Sequence, residues 1–167
     1  TEKIAYYIQY CRKNGIALLP PNVNASGAKF AVDVVDGKKG IRFGMSAIKN
    51  LGHPAVEAIV QGRKSGGKYR DIYDFIDRLA GAQLNKKGVE SLIRAGAMDC
   101  LPGVRSQKLH VFERAMDGAA KKQKGTLDGQ LSLFGLAEEA APPPPPLPPL
   151  KEFSPGELLQ MEKEVTG

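Results

Sequence analysis

The sequence has no tryptophan, two cysteines, two histidines and only 7% aromatic residues. Each shortage excludes something. Cys11 and Cys100 are too far apart, and too poorly matched to His53 and His110, to form a metal-ligand spacing. A pair this sparse does not make a disulfide scaffold either, so free thiols in a reducing cytosol are expected. With so few rings the core must rest on Leu, Ile, Val and Ala, which a 42% hydrophobic content allows. No apolar run approaches the ~20 residues of a membrane-spanning helix, and no signal peptide opens the chain, so no membrane partner is expected. Thr1 already lies inside a helical pattern, and a periodic segment breaks off between Glu162 and Gly167. Both ends are therefore expected to be cuts in a longer protein.

What is present is a basic chain of 167 residues, with 24 Lys and Arg against 18 Asp and Glu. The pattern predicts a mainly α fold: a small helical bundle with a short β-hairpin near residues 29–44. Residues 2–14 carry Ile4, Tyr7, Ile8 and Cys11 at helical spacing and stop at Gly15. Ile16 to Leu19 run into Pro20-Pro21, an extended segment. Residues 29–35 and 40–44 alternate around Asp36-Gly37, a hairpin turn. Helical segments follow at 45–50, 54–64, 71–79, 86–95 and 105–121. Ile72, Phe75, Ile76 and Leu79 share one face; Val89, Leu92 and Ile93 another; Leu109, Phe112 and Met116 a third. Asn85 is the expected N-cap of the fourth segment. Helices this short need one another's surfaces. Four units are expected: 1–44, 45–123, a linker over 124–153 containing the polyproline run Pro142 to Pro149, and a helix over 154–167 opened by the capping box Ser154-Pro155-Gly156-Glu157 and leading to a further domain.

The most informative stretch is Lys49-Asn50-Leu51-Gly52-His53-Pro54, a turn between two helices. Asn50 and Gly52 tolerate a left-handed backbone, Leu51 can drop between the helices, and Pro54 can start the second. The first turn of that helix offers unpartnered amides to an anion. The layout is that of a helix-hairpin-helix, with Asn50 in place of a first glycine; a plain α-hairpin has the same outline. Between residues 38 and 70, Lys38, Lys39, Arg42, Lys49, Arg63, Lys64, Lys68 and Arg70 stand against a single acid, Glu57, which favours a phosphate footprint. A second unit pairs 71–79 with a helix opened by Lys86 and Lys87, an unfavourable place for cations unless an anion is near. The expected DNA-contacting residues are Lys49, Asn50, Leu51, Gly52, His53, Arg63, Lys64, Lys86 and Lys87. Asp71, Asp74 and Asp77 read as the solvated face of a helix rather than a metal cage, and no catalysis is expected.

Gly15-Ile16 leading to Leu19-Pro20-Pro21-Asn22-Val23-Asn24, Ile41-Arg42-Phe43-Gly44 with Ala47-Ile48-Lys49, and Leu92 to Asp99 together resemble the α subunit of bacterial DNA polymerase III. The resemblance implies the end of a fingers region followed by a tandem helix-hairpin-helix domain, in a parent that is a DNA-directed DNA polymerase using Mg²⁺. It implies duplex DNA, a sliding clamp and other replicase subunits as partners in the bacterial cytosol. Gln130-Leu131-Ser132-Leu133-Phe134 looks like the family's clamp-binding pentapeptide: two apolar anchors, Leu133 and Phe134, and a polar contact, Gln130. The alternatives are a protein-interaction module whose basic face meets an acidic partner, and a helix-hairpin-helix repair enzyme, for which Lys49 has no neighbouring Asp in sequence.

Overall fold

The computed structural model describes residues 2–127 and 143–167. Its elements are α1 (Glu2–Lys13), β1 (Ala17–Leu19), β2 (Ala31–Val35), β3 (Lys38–Arg42), a 3-10 turn (Met45–Ala47), α2 (His53–Gly66), α3 (Ile72–Arg78), α4 (Lys86–Arg94), α5 (Arg105–Leu127) and α6 (Pro155–Thr166). The fold is mainly α with one small sheet.

Gly15 ends α1 at φ +67, and Ile16 N–H returns to the Cys11 carbonyl at 2.8 Å, so the left-handed glycine turns the chain out of the helix. At the hairpin tip Asp36 and Gly37 both have positive φ, +52 and +74, the conformation whose twist suits two antiparallel strands. β1 joins as a third strand, parallel to β3, giving the order β1-β3-β2. Sequence periodicity had no means of pairing so short a segment.

The core lies among α2 to α5. Phe75, Ile59, Leu92, Ile93, Val56, Val89 and Met98 are fully enclosed, and two of the three helical faces expected from periodicity supply four of them. Phe112 is buried, with Leu109 and Met116 at the margin. The loop before β2 fastens the sheet to this body. Val23 is sunk in the core and its N–H donates to the Ala97 carbonyl at 2.8 Å. Asn24 pairs with the Tyr69 main chain in both directions, at 2.8 and 3.0 Å, as a strand would. Ser26 Oγ donates to the Phe43 carbonyl at 2.8 Å. These bonds leave few buried polar groups unmatched.

Residues 143–153, expected as spacer, run against α5. Leu147 packs at Gly103, Gln107 Nε2 donates to the Pro148 carbonyl at 2.7 Å, and Ser106 Oγ to that of Lys151 at 2.7 Å. Glu152 accepts from the N–H groups of Arg105 and Ser106, at 2.9 and 3.1 Å, and so caps the N-terminus of α5 from 47 residues away. The Ser154 capping box forms as expected. α6 then lies back on the body, with Val165 buried, Arg94 paired to Glu164 at 2.9 Å and Arg105 to Glu162 at 2.7 Å.

Burial alone would raise the pKa of Glu152, but the amides of Arg105, Phe153 and Ser106 and the Arg105 charge outweigh it and hold the carboxyl below its usual range. The cap is thus fully present at neutral pH and is lost as pH falls through the usual carboxylate range to that lowered value. Glu152→Gln is expected to lower Tm at pH 7, with the gap from the parent sequence closing in acid. Thermal melts across a pH series check this, and a gap independent of pH would show that the carboxylate charge is not what holds the segment.

Candidate nucleic-acid interface

The bend after the 3-10 turn is built from the inside. Met45 and Ile48 are buried, and the N–H groups of Met45 and Ser46 are held by the carbonyls of Gly27 and Ala28 at 2.9 and 3.0 Å. The segment closes only tight bonds, Ala47 to Gly44 and Ile48 to Met45, and Ile48 is already extended at φ −83, ψ 126. The helix expected over 45–50 is therefore a single 3-10 turn, because anchoring to the preceding loop and burial of two side chains three residues apart favour the tighter winding.

Asn50 is left-handed as expected, at φ +62, and its Nδ2 donates to Ser91 Oγ at 3.1 Å. Leu51 enters the core. Gly52 is not left-handed: it sits at φ −71, ψ 158 as the N-cap of α2, and a Cβ there would only touch Pro54 at 3.7 Å. What glycine leaves behind is a bare helix end. No side chain caps α2, Pro54 occupies its first turn, and Gly52, His53 and Pro54 are exposed. The first intrahelical bond is Val56 N–H to Gly52 O, so the amides before it are available to an anion. Beside it lies the start of α4. Asn85 caps Gly88 N–H at 2.8 Å, and the position of a Cβ on Gly88 would be 3.2 Å from the Asn50 carbonyl, so the bend rests on the first turn of α4. Two helix N-termini are thereby brought together, one bare and one capped.

The cations expected around them have different situations. Lys49 gives its main-chain N–H to Val165 O at 2.8 Å and its ammonium to Glu164 O at 2.7 Å, two carbonyls at the C-terminus of α6. Arg63 turns inward and clasps the loop carbonyls of Val23, Ser26 and Ala25 at 3.0, 2.6 and 3.3 Å; burial pulls its pKa down. Arg42 is buried and paired with Asp33 at 2.8 Å. The anion that offsets Lys86 at its helix start is Asp117, at 2.9 Å, with Glu113 at 3.9 Å, and the bond to Asp117 raises the Lys86 pKa. Lys64 and Lys87 are exposed. His53 is exposed too, with Nδ1 3.6 Å from Glu57. The dense basic face read from sequence is accordingly thinner: Arg42 and Arg63 serve the fold, and Lys49 and Lys86 have protein partners. Gln130, Leu131, Ser132, Leu133 and Phe134 lie outside the described residues.

Some structural residues carried no sequence signal of their role. Lys108 is completely enclosed, its ammonium on the carbonyls of Leu101 and Gly103 at 3.0 and 2.7 Å. Arg105 joins Asp99 and Glu162, both at 2.7 Å. Arg78 stacks over Tyr69 at 4.3 Å and bonds the Gly62 and Gly67 carbonyls. The turn between α3 and α4 has its own left-handed glycine, Gly81 at φ +80, for which the pair Ala80-Gly81 was the available hint. The expectation of a solvated Asp71–Asp74–Asp77 face also needs correction. Asp71 caps α3 by accepting from Asp74 N–H at 2.8 Å, and Asp74 is nearly enclosed between Arg70 and Arg78, at 3.4 and 3.3 Å. Among the described residues no group of three His, Cys, Asp or Glu side chains is placed to hold a metal ion.

Residues 15–108, which contain the bend, both helix N-termini and most of the core, match the family described as the helix-hairpin-helix motif. The chain belongs to the helix-hairpin-helix family. Over its whole length it is also similar to one segment of DNA polymerase III subunit alpha: 39% identical over 167 residues to that of Thermus aquaticus, covering 100% of this chain and 13% of the relative. It is 36% identical over 170 residues to that of Mycobacterium tuberculosis H37Rv, covering 99% and 14%, and 36% identical over 167 residues to that of Neisseria meningitidis MC58, covering 100% and 14%. The chain thus spans only about one-seventh of the length of these relatives. Within this helix-hairpin-helix domain, the segments that carried the resemblance hold the fold: Val23 and Asn24 fasten the loop, Arg42 pairs with Asp33, and Gly96 at φ +77 lets Arg105 reach Asp99.

Asn50→Gly is expected to keep the bend and lose only the bond to Ser91. Asn50→Val adds a branched side chain at positive φ and is expected to cost about 1–2 kcal/mol more. Chemical denaturation of the two variants checks the order, and equal stability would deny the strained bend.

Proposed function

We propose that this chain grips duplex DNA by its phosphates within the α subunit of a DNA polymerase III, and that residues 130–134 tether it to a sliding clamp. The observation that carries the first part is the exposed, uncapped start of α2 immediately behind a left-handed Asn50, set against the start of α4. Two main-chain amide groups and the positive end of a helix dipole meet one oxyanion there without reading a base, so the grip is independent of sequence. Gly52 and His53 offer the amides, Asn50 and Leu51 fix the bend, and Lys64, Lys87 and Lys49 add positive charge, Lys49 by leaving the α6 carbonyls. Arg63 and Lys86 act indirectly, through the loop and α5. Nucleotidyl transfer, with the Mg²⁺ it uses, belongs to parts of the longer polypeptide beyond this chain, which works among other replicase subunits in the bacterial cytosol and nucleoid.

Duplex DNA titrated by fluorescence anisotropy at several salt concentrations is expected to show affinity falling steeply with salt and little changed when the base sequence is scrambled. Lys64→Ala and Lys87→Ala should each reduce the salt slope by about 1, the signature of one lost phosphate contact. Arg63→Ala should lower stability by about 1–3 kcal/mol, the loss of a charged donor from several carbonyls, with the slope of the remaining folded protein unchanged. No binding at low salt would instead favour a protein partner for this face.

The pentapeptide reading rests on residue chemistry and on the polymerase relatives. Replacing Leu133 and Phe134 with Ala is expected to abolish binding to the cognate clamp in surface plasmon resonance while leaving DNA affinity in place. Clamp binding undiminished in that double variant would refute the tether.

A further inference from the structure

The small sheet carries a row of apolar side chains that is half-buried at Leu18 and Ile41 and exposed along β2. Ile41 in β3 lies in register with Val32 in β2 and with Leu18 in β1, so the three side chains form one row on one face. Val34 continues that face along β2, and Phe30 precedes it, its ring edge-to-face on Phe43 at 4.6 Å. Val32 is 73% exposed, Val34 56% and Phe30 40%. On the reverse face Gly40 is covered by Ala17 and Leu19 of β1 and Arg42 is buried and neutralised by Asp33, while Ala31, Val35 and Lys38 are exposed. The first face carries the more exposed apolar side chains, Phe30, Val32 and Val34 along β2, with Lys39 beside Val34. Scattered apolar residues on a surface are ordinary; a continuous row of them marks a contact.

We infer that this face docks an apolar surface of another domain of the same polypeptide, packed face to face on β2 and β3. Two observations select that occupant. The polymerase subunits similar to this chain extend far beyond it, the chain covering 13–14% of their length, so most of the polypeptide is available to lie there. The contact is with the face and not with the strand edge, because the outward N–H of Val34 is taken by Asp33 Oδ1 at 2.8 Å, which blunts β2 against an added strand. The residues offered to phosphate lie on the bend, α2 and α4, so this surface does not depend on the DNA reading.

The test compares the 167-residue chain with an intact DNA polymerase III α subunit that contains it, each with and without the pair Val32→Thr and Val34→Thr, which keeps strand propensity and removes apolar surface. Hydrogen exchange at residues 31–35 is expected to be at least about tenfold slower in the intact subunit than in the 167-residue chain. The double variant should remove most of that difference and lower the Tm of the intact subunit by several degrees, while leaving the Tm of the short chain nearly unchanged. Equal exchange in the two lengths overturns the proposal. A short chain that sediments as a dimer, and becomes monomeric in the double variant, also overturns it by making a second copy the occupant.

Discussion

Leu51 is the pin of the bend. Its side chain is sunk among the core residues while Asn50 and Gly52 on either side stay exposed, and that contrast fixes the path of the chain. The sharp turn itself is made by Asn50, which takes a left-handed conformation and a bond to Ser91 and so directs Leu51 inward. The next residue, Gly52, then opens α2 without a capping side chain. The exposed amides follow from an apolar anchor one residue away. The proposed phosphate site would thus be made by the hydrophobic effect as much as by charge.

The helices were legible because each buries a stripe with helical period. Phe75 and Ile76, or Leu92 and Ile93, announce their faces whatever surrounds them. The hairpin was legible for the same local reason, since Asp36-Gly37 favours one turn type. What could not be read were matters of tertiary competition. Residues 45–50 have the composition of a helix, yet Gly27 and Ala28 capture their first amides and leave a 3-10 turn. β1 is three residues long and takes its identity from β3. The proline-rich stretch signals stiffness, but nothing local states that Glu152 will reach the amides of Arg105 and Ser106.

Charge was the least legible property. A count of Lys and Arg along the chain treats every cation as available, whereas a folded protein uses several to neutralise its own carbonyls. Arg63 gathers three loop carbonyls, Arg78 three more, and Lys108 lies wholly inside with two. Such groups look identical in sequence to the exposed Lys64 and Lys87. The distinguishing information is the number of unpaired carbonyls left by loops and helix ends nearby, which only the folded chain reveals. The structure therefore narrows the candidate interface to fewer side chains and shifts weight onto the main chain.

The attachment of Lys49 has a mechanical side. Its main chain and its ammonium both end on the last turn of α6, at carbonyls that the helix itself cannot satisfy. The residue next to the bend is therefore fastened at two points to a helix more than a hundred positions later. These two bonds join the bend directly to the last turn of α6, beside the core contact that Val165 makes. By the reciprocity of linked equilibria, whatever steadies one end steadies the other.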